Sequence, residues 1–409
     1  MDKANAFYAQ SGGVTAVINA SAYGVINQLQ TKYKHKVDKI YAGNFGIIGA
    51  LEDDLIEVSE ELDLAKLAMT PGGYFGSCRY KLKGIEANRA EYTKLVEVFK
   101  KYNIKYFFYN GGGDSQDTAH KVSQISEELG YPVVCIGVPK TVDNDLPFTD
   151  NSPGFGSVAK YVAISTLEAG LDVASMCKSS TKVFILEVMG RHAGWIAAAS
   201  GLAARQHGQA PHVILFPEVD FDQEKFLAKV NESVTNYGFC VVVASEGVQN
   251  SKGKFLAEQG STDSFGHKQL GGLAPVLAGI VQDNLGFKYH WAVADYLQRA
   301  ARHVASQVDV DQAIAVGAKA ADLAMSGSNA LMPIIIRESN NPYKWSIGSV
   351  ELSKVANVEQ KMPEDFITND GFGITDKCKE YLLPLIQGEA YPEYQDGLPD
   401  YLITDKTNS

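Results

Sequence analysis

The hydrophobic positions of this chain fall into short apolar runs and into longer segments with helical spacing. The runs 105–109 and 133–138 have the length and the β-branched or aromatic content of buried strands. Residues 16–29 and 91–102 carry apolar side chains three or four positions apart, which is typical of helices. Because strands and helices alternate through residues 1–150, we predict a mostly parallel, doubly wound sheet there.

The alternation continues after residue 156 and predicts a second α/β lobe. Its expected elements are helix 158–177, strand 182–188, helix 194–204, strand 212–216, helix 222–236, strand 239–244 and helix 271–284. A polar segment at 249–268 is expected on the surface. A long helix to about Met325 and a strand at 331–336 follow.

The fold class is therefore α/β, with two doubly wound lobes of mostly parallel sheets. We expect the first lobe to comprise residues 1–157 and about 299–345, and the second to comprise 158–298. The remaining residues, 346–409, contain scattered proline and glycine and are expected to form an extension that packs on the lobes.

Composition narrows the possible classes of protein. With 409 residues and 45% hydrophobic content, the chain is an ordinary packed protein, and its net charge of −11 argues against a nucleic-acid surface. No apolar run is long enough to cross a membrane, and the first ten residues lack a secretory pattern, so we expect a cytoplasmic protein. The five cysteines are scattered, which indicates free thiols rather than disulfides or a zinc site.

Candidate chemistry begins where the strand at 131–138 ends. The polar residues after Pro139 are Lys140, Thr141, Asp143, Asn144 and Asp145. Open α/β sheets bind ligands at the carboxyl ends of their strands. Two carboxylates and a lysine provide a base, a charge for a metal or a partner, and a cation for phosphate oxygens. The alternative is a polar loop whose side chains stabilise a turn.

Three glycine-rich segments also follow predicted strands or carry cations. Residues 11–15 and 110–119 each lie between a strand and a helix, a geometry that directs backbone N–H groups at an anion, and the second carries Asp114. Residues 70–81 end in cations that include Arg79. Tight turns and solvated surface loops are the alternatives, and Asn19 is expected to make local hydrogen bonds.

In the second lobe, strand ends supply Arg191 and Glu246, an anion binder and a hydroxyl acceptor suited to a sugar phosphate. His192 is a possible base, although a loop histidine bonded to the backbone is the more ordinary interpretation.

Seven short motifs stand in one order and together resemble the phosphofructokinase family over about residues 5–335. They are SGG, GGYFGSCR, GGGDS, PKTVDND, MGRHAG, SEG and YLQR. ATP-using members typically carry GGDGS and PGTIDND, whereas this chain has Asp114 and Lys140 at the altered positions. These two residues resemble the pyrophosphate-dependent branch. A carboxylate where the α-phosphate of ATP must lie costs on the order of several kcal/mol, which disfavours a nucleotide.

The resemblance implies phosphoryl transfer from magnesium pyrophosphate to the 1-hydroxyl of fructose 6-phosphate. It assigns the base to Asp143, a supporting role to Asp145, and charge for the leaving phosphate to Lys140. Pyrophosphate would be held by Gly12, Gly13, Arg79, Asp114 and Lys140, with Lys81 and Lys83 as weaker candidates. The sugar phosphate would be held by Thr141, Val142, Asp143, Met189, Gly190, Arg191, Glu246, Tyr296 and Arg299.

Three further implications concern the metal, the second lobe and the oligomer. Most members have a magnesium-binding aspartate where this chain has Gly113, so we predict that Asp114 takes the metal role. In bacterial relatives, two arginines of a neighbouring subunit reach the 6-phosphate, and the corresponding places here carry Lys182 and His290, with Lys288 nearby. We therefore expect a homodimer or homotetramer with sites near the subunit interface.

Other functions remain open from the sequence. An ATP-dependent 6-phosphofructokinase is the nearest, and additional use of sedoheptulose 7-phosphate is another. A catalytically silent regulatory subunit is disfavoured by the intact Asp143, Asp145 and Arg191. An NAD-dependent dehydrogenase is poorer, because SGGVTA lacks the dinucleotide fingerprint.

Overall fold

The computed structural model describes residues 3–82, 84–262, 268–270 and 272–403, with the backbone alone at 258–262 and 268–270. Its strands are β1 Ala4–Ser11, β2 Val37–Gly43, β3 Leu55–Glu57, β4 Ser77–Cys78, β5 Ile104–Gly111, β6 Val134–Pro139, β7 Val183–Val188, β8 Val213–Leu215, β9 Cys240–Ser245, β10 Glu258–Thr262, β11 Lys268–Leu270, β12 Tyr289–Val293, β13 Leu331–Asn340, β14 Tyr343–Glu351, β15 Tyr394–Gln395 and β16 Leu398–Pro399.

The α-helices alternate with these strands through most of the chain. They are α1 Ile18–Thr31, α2 Ile47–Glu52, α3 Leu64–Met69, α4 Arg89–Lys101, α5 Gly113–Glu128, α6 Phe155–Met176, α7 Trp195–Ala199, α8 Gln223–Tyr237, α9 Leu273–Leu285, α10 Asp295–Ala300, α11 Gln307–Met325, α12 Leu352–Val355 and α13 Asp376–Leu382. Short 3-10 helices occur at Ser200–Ala203, Arg302–Val304, Glu364–Phe366 and Leu383–Ile386.

The chain divides into two compact units. Unit 1 comprises 1–154, 302–359 and 388–409, and unit 2 comprises 155–301 and 360–387. The C-terminal part of the chain thus contributes to both units, and the strand β14 extends across the expected boundary at 345.

Unit 1 is built on an eight-stranded sheet in the order β14, β13, β6, β5, β1, β2, β3, with β4 paired to the end of β1. The pairings among β2, β1, β5, β6 and β13 are parallel, and the two outermost strands are antiparallel. Phe107 and Phe108 point to opposite faces, and both are completely buried. Helices α4 and α5 cover the face of Phe107, and α1 and α11 cover the other. The α/β, doubly wound prediction is confirmed.

Unit 2 contains a four-stranded parallel sheet in the order β12, β7, β9, β8. Ile185 and Val242 face α8 and α9, whereas Phe184 and Val241 face the helix α6. Both faces of the inner strands β7 and β9 are therefore covered, as is typical of parallel sheets, whereas the edge strand β12 is largely exposed.

Several elements differ from the sequence prediction. The strand β14 was not predicted, because only Tyr343, Trp345 and Ile347 alternate with polar residues on a half-exposed hairpin. The predicted long helix begins only at Gln307, where the Ser306 hydroxyl accepts a hydrogen bond from the Asp309 N–H and caps it. The predicted helix at 194–204 is a single turn of α-helix followed by a 3-10 turn.

All five cysteines are free thiols, as expected. Within the described residues, no helix combines the length and apolar character needed to cross a membrane.

Candidate active site

The parallel strands of unit 1 bring their predicted binding loops to one edge of the sheet. Gln10 of β1 pairs with Asn110 of β5, and Gly111 pairs with Pro139 of β6. The short strand β4 pairs with the end of β1 through Cys78 and Ser11. The segments that begin at residues 12, 79, 112 and 140 therefore leave the sheet at the same edge.

Lys140 is the cation that lies deepest in this edge. It is 5% exposed, and its ammonium donates a hydrogen bond to the Gly13 carbonyl oxygen at 2.7 Å. Its backbone N–H bonds to the Gly111 carbonyl oxygen at 3.2 Å. A Cβ on Gly12 would lie only 3.4 Å from the ammonium nitrogen. The lysine is therefore held against the first glycine loop.

Gly12 has a backbone conformation that favours glycine, with a φ of +75°. Its N–H bonds to the Cys78 carbonyl oxygen at 2.9 Å, and its carbonyl oxygen accepts from the Ser77 hydroxyl at 2.8 Å. Sequence reasoning missed Ser77, whose role depends on the pairing of β4 with β1. Arg79, immediately after β4, is exposed at the end of this strand.

The third glycine segment begins the helix α5. A Cβ on Gly111 would lie 2.1 Å from the Ser115 hydroxyl oxygen, so this position requires glycine. At Gly113, by contrast, a Cβ would meet no described heavy atom within 4 Å. The absence of the metal-binding aspartate there is therefore not imposed by packing.

Asp114 lies in the first turn of α5, where the helix dipole favours a negative charge. Its carboxylate forms an ion pair with the Lys81 ammonium at 2.5 Å, and both side chains are about two-fifths exposed, at 37% and 41%. The resemblance implies Lys81 only as a weaker pyrophosphate ligand, and this ion pair with Asp114 was not predicted. Lys83 lies outside the described residues.

Hydrogen bonds within residues 141–153 hold the loop that follows β6. The Thr141 N–H bonds to the Pro153 carbonyl oxygen at 3.3 Å, and the Thr141 hydroxyl accepts from the Asp143 N–H at 3.1 Å. Asn144 adopts a positive φ of 55° and accepts from the Ser152 N–H at 2.9 Å. These bonds fix the backbone that carries the predicted base.

The two carboxylates of this loop, Asp143 and Asp145, are half-buried, and Val142 between Thr141 and Asp143 is buried. Burial raises the pKa of Asp145, and the charge of Glu359 raises it further, while the Thr141 hydrogen bond and Lys140 lower it. A carboxyl group with a raised pKa holds a proton more readily.

In unit 2, Met189, Gly190 and Arg191 follow the carboxyl end of β7, and Glu246 follows the carboxyl end of β9. The Gly190 N–H bonds to a Glu246 carboxylate oxygen at 3.4 Å, and the Glu246 N–H bonds to the Val188 carbonyl oxygen at 2.9 Å. Gly190 has a φ of +134°, and a Cβ there would lie 2.7 Å from the Ala193 carbonyl oxygen. Burial raises the pKa of Glu246, which the Gly190 N–H and the Arg191 charge oppose.

Arg191 is half-buried at this strand end. Its Nε atom is buried, and no described atom accepts a hydrogen bond from it. A buried donor without an acceptor costs free energy unless a ligand provides one. This unsatisfied N–H is the strongest indication in unit 2 of a place for an anion.

The helix α10 carries the last predicted motif. Tyr296 is 60% exposed, and the Arg299 guanidinium lies over its ring at 3.8 Å. Gln298 between them is buried, and its side-chain oxygen accepts from the Met189 N–H at 3.3 Å. Gln298 was missed as a positioning residue, although its place inside YLQR was the available signal.

Lys182 and Lys288 lie apart from these residues. Lys182 precedes β7 and donates to the Cys177 carbonyl oxygen, and Lys288 precedes β12 and donates to the Ser180 hydroxyl at 3.0 Å. Both are at the amino ends of strands whose carboxyl ends lead to Met189 and α10. Because β7 has six residues, about 20 Å separates its two ends. Within one chain they cannot share a phosphate with Arg191.

A group of three or more potential metal-ligating side chains is found nowhere in the described part of the chain. Magnesium commonly binds through one or two carboxylates together with substrate phosphates. A single aspartate such as Asp114 fits that pattern, although one of its oxygens is bonded to Lys81.

Comparison with known proteins gives a consistent result. The model of the family described as phosphofructokinase matches residues 5–324. The pyrophosphate–fructose 6-phosphate 1-phosphotransferase of Halomonas elongata is 63% identical over 401 residues, covering 98% of this chain and 96% of that protein. The enzyme of the same name from Methylococcus capsulatus is 60% identical over 400 residues, covering 97% and 95%.

A solved structure agrees with the sequence relatives. The crystal structure of a pyrophosphate-dependent phosphofructokinase from Nitrosospira multiformis superposes with a TM-score of 0.90 at 61% identity. The match covers 97% of this chain and 95% of that chain.

Proposed function

This chain belongs to the phosphofructokinase family, and we propose that it catalyses reversible phosphoryl transfer from pyrophosphate to fructose 6-phosphate. The products are fructose 1,6-bisphosphate and orthophosphate. Relatives that bear the name of this activity are 63% and 60% identical over nearly the whole chain. The buried Lys140 ammonium is the main support for pyrophosphate as the donor. It lies beside the glycine loop, 2.7 Å from the Gly13 carbonyl oxygen.

In this proposal, the edge of the unit 1 sheet binds pyrophosphate. The Gly13 N–H and the Arg79 guanidinium hold its oxygens, because such groups match phosphate geometry and charge. Gly12, whose N–H is bonded to the Cys78 carbonyl oxygen, lets the loop backbone approach the anion closely. Lys140 places its charge where the bridging oxygen becomes part of the leaving orthophosphate. A preorganised charge in a buried position acts more strongly on a transition state than it would in water.

Asp114 disfavours ATP in this proposal, but the structure reduces the expected size of its effect. Two like charges about 4 Å apart near a protein surface repel by about 4 kcal/mol. The Lys81 ammonium at 2.5 Å offsets much of the negative potential of the carboxylate. We therefore expect Asp114 alone to contribute about tenfold to hundredfold discrimination against the nucleotide.

In this proposal, Thr141 and Val142 of unit 1 bind the sugar. The sugar ligands assigned to unit 2 begin with the backbone of Met189 and Gly190. Arg191 binds the 6-phosphate through the guanidinium whose Nε has no described acceptor. Glu246 accepts from sugar hydroxyls, and the paired Tyr296 and Arg299 cover the remaining face.

The chemical step is an in-line displacement. The 1-hydroxyl oxygen of the sugar forms a bond to the transferred phosphorus, and the Asp143 carboxylate accepts the proton of that hydroxyl. The bond from that phosphorus to the bridging oxygen breaks, and the electron pair leaves with orthophosphate. Thr141 keeps Asp143 oriented, because its hydroxyl accepts a hydrogen bond from the Asp143 N–H. Asp145 supports the same loop through its hydrogen bond with the Thr141 side chain. Catalysis then consists mainly of positioning and charge stabilisation.

Magnesium would be held by pyrophosphate oxygens and the Asp114 carboxylate, and when bound it neutralises charge on the donor.

A donor comparison with purified protein tests the proposal. We expect fructose 1,6-bisphosphate to form with pyrophosphate and at least about a hundredfold lower kcat/KM with ATP. The double variant Asp114→Gly, Lys140→Gly should lose pyrophosphate activity and shift the donor ratio toward ATP. Glu57→Gln is the matched control, because it removes another exposed ion pair of unit 1, with Lys39 at 2.8 Å. Equal turnover with both donors in the unmodified chain would contradict the proposal.

We also propose that the active form is a cytoplasmic homodimer or homotetramer. Lys182 and Lys288 lie at the far end of the unit 2 strands, so they could reach a 6-phosphate only on another copy of the chain. The solution mass measured by light scattering should be at least twice 44.3 kDa. A fully active monomer would contradict this part of the proposal.

A further inference from the structure

The last described segment of the chain, residues 388–403, packs in unit 1 and is called the strap here. It contacts the helix α3 and the residues that follow it, 70–79, which are called the donor loop because they end at Arg79. The Leu402 N–H donates to the Thr70 hydroxyl oxygen at 3.0 Å. One turn earlier on α3, Lys66 forms an ion pair with Asp400 at 2.6 Å. Two independent polar contacts thus join the strap to the start of the donor loop.

The other end of the strap is fixed by a buried arginine. Arg302 is 2% exposed and donates to the carbonyl oxygen of Ala390 in the strap. The same guanidinium donates to the carbonyl oxygen of Ala68 in α3 at 3.4 Å. Both ends of the strap are therefore attached to the helix that leads into the donor loop.

Thr70 also connects the strap to the core of unit 1. Its carbonyl oxygen accepts a hydrogen bond from the buried Asn19 amide at 2.8 Å. The Asn19 side-chain oxygen accepts from the Tyr74 N–H at 3.1 Å and from the Gln10 amide at 3.0 Å. Asn19 therefore holds two points of the donor loop beside β1, and the strap holds the first of them from the outside.

The far end of the donor loop meets the first glycine loop. The Cys78 carbonyl oxygen accepts from the Gly12 N–H at 2.9 Å, and the Ser77 hydroxyl donates to the Gly12 carbonyl oxygen. A shift of Thr70 would thus be transmitted along the loop to Arg79 and to the backbone beside Lys140.

We propose that the strap is a positioning element for donor binding, which acts by holding Thr70 and so fixes the donor loop that presents Arg79. This inference rests on the proposed function, because that proposal assigns Arg79 and Gly12 to pyrophosphate. The strap contacts described above are with Thr70, Lys66 and Arg302, none of which is assigned to fructose 6-phosphate, so we expect its effect to fall on the donor.

Variants at Thr70 test the inference in the full chain. Thr70→Val keeps the shape but removes the hydroxyl that accepts from Leu402, whereas Thr70→Ser retains it. We expect Thr70→Val to raise the KM for pyrophosphate about fivefold, the effect of one hydrogen bond, with the KM for fructose 6-phosphate unchanged. Thr70→Ser should restore the unmodified value.

Asp400→Asn tests the strap without changing Thr70, whose hydroxyl also donates to the carbonyl oxygen of Lys66 in α3. It removes the Lys66 ion pair from the strap side and should raise the same KM by about twofold to threefold. Amide hydrogen exchange of residues 70–79, which requires no turnover, should be faster in Thr70→Val and Asp400→Asn than in Thr70→Ser.

Three results would overturn the inference. They are an unchanged pyrophosphate KM in both Thr70→Val and Asp400→Asn, a parallel rise for both substrates, and an effect of Thr70→Val that Asp400→Asn does not share. An unmodified chain that fails to use pyrophosphate would instead overturn the proposed function, and the donor role of the strap with it, whatever the exchange rates.

Discussion

Replacing Lys140 by methionine removes the buried charge but keeps a side chain of similar length. The ammonium now lies 2.7 Å from the Gly13 carbonyl oxygen, beside the loop proposed to bind pyrophosphate. Loss of one preorganised group that stabilises developing charge costs about 3 to 4 kcal/mol in the transition state. We therefore expect kcat with pyrophosphate to fall about a hundredfold to a thousandfold.

The effect on folding should be small by comparison. The Gly13 carbonyl oxygen loses a donor, which costs about 1 to 3 kcal/mol, but the cost of burying a charge is also removed. These contributions have opposite signs, so we expect the melting temperature to change by less than about 4 °C.

The assay measures initial rates at saturating fructose 6-phosphate while pyrophosphate is varied. Lys36→Met is the matched control, because the exposed Lys36 also donates to a backbone carbonyl oxygen, that of Met325 at 3.0 Å. It should retain full activity. A folded Lys140→Met variant with kcat within threefold of the unmodified enzyme would refute the reasoning about the leaving group.

Two further predictions concern unit 2. Arg191→Met should raise the KM for fructose 6-phosphate about thirtyfold to a hundredfold, the effect of a charge-assisted phosphate contact, and leave the KM for pyrophosphate unchanged; a parallel change in both would argue against a 6-phosphate ligand. Burial lowers the pKa of His212 to about 4, whereas an unfolded chain has the ordinary histidine value of about 6.5. As the pH falls below about 6.5, His212 is therefore protonated in the unfolded chain before it is protonated in the folded one. The free energy of unfolding should then be about 2 kcal/mol lower at pH 5 than at pH 7. His212→Asn, whose amide oxygen replaces the Nδ1 acceptor of the Val241 N–H, should show a shallower loss in urea unfolding between pH 7 and 5, and an identical loss would contradict this assignment.

Much of the candidate site could be anticipated because strand ends of a parallel sheet share an edge. The positions of Gly12, Asp114 and Lys140 followed from three strand–loop units in sequence order, and their loops leave the sheet together. The Lys81–Asp114 ion pair could not be anticipated, because it joins residues from separate loops whose approach depends on how β4 pairs with β1.

Other contacts were inaccessible to sequence reasoning for the same reason. Thr70 and Leu402 are separated by 332 positions, and their hydrogen bond depends on how the C-terminal part of the chain packs in unit 1. The placement of Lys182 and Lys288 at the amino ends of strands follows from strand direction. The resemblance to relatives that share sites between subunits predicts both as sugar-phosphate ligands.

The amino-acid sequence alone determined the α/β class, the order of most strands and helices, and the family, because periodicity and short motifs are local properties of the chain. Tertiary structure decided the hairpin at β13 and β14, the distribution of the C-terminal residues over both units, and the partners of Asp114, Thr70 and Arg302. These features depend on contacts between residues far apart in sequence. Such contacts form only when buried apolar faces bring the elements together, so no local pattern encodes them.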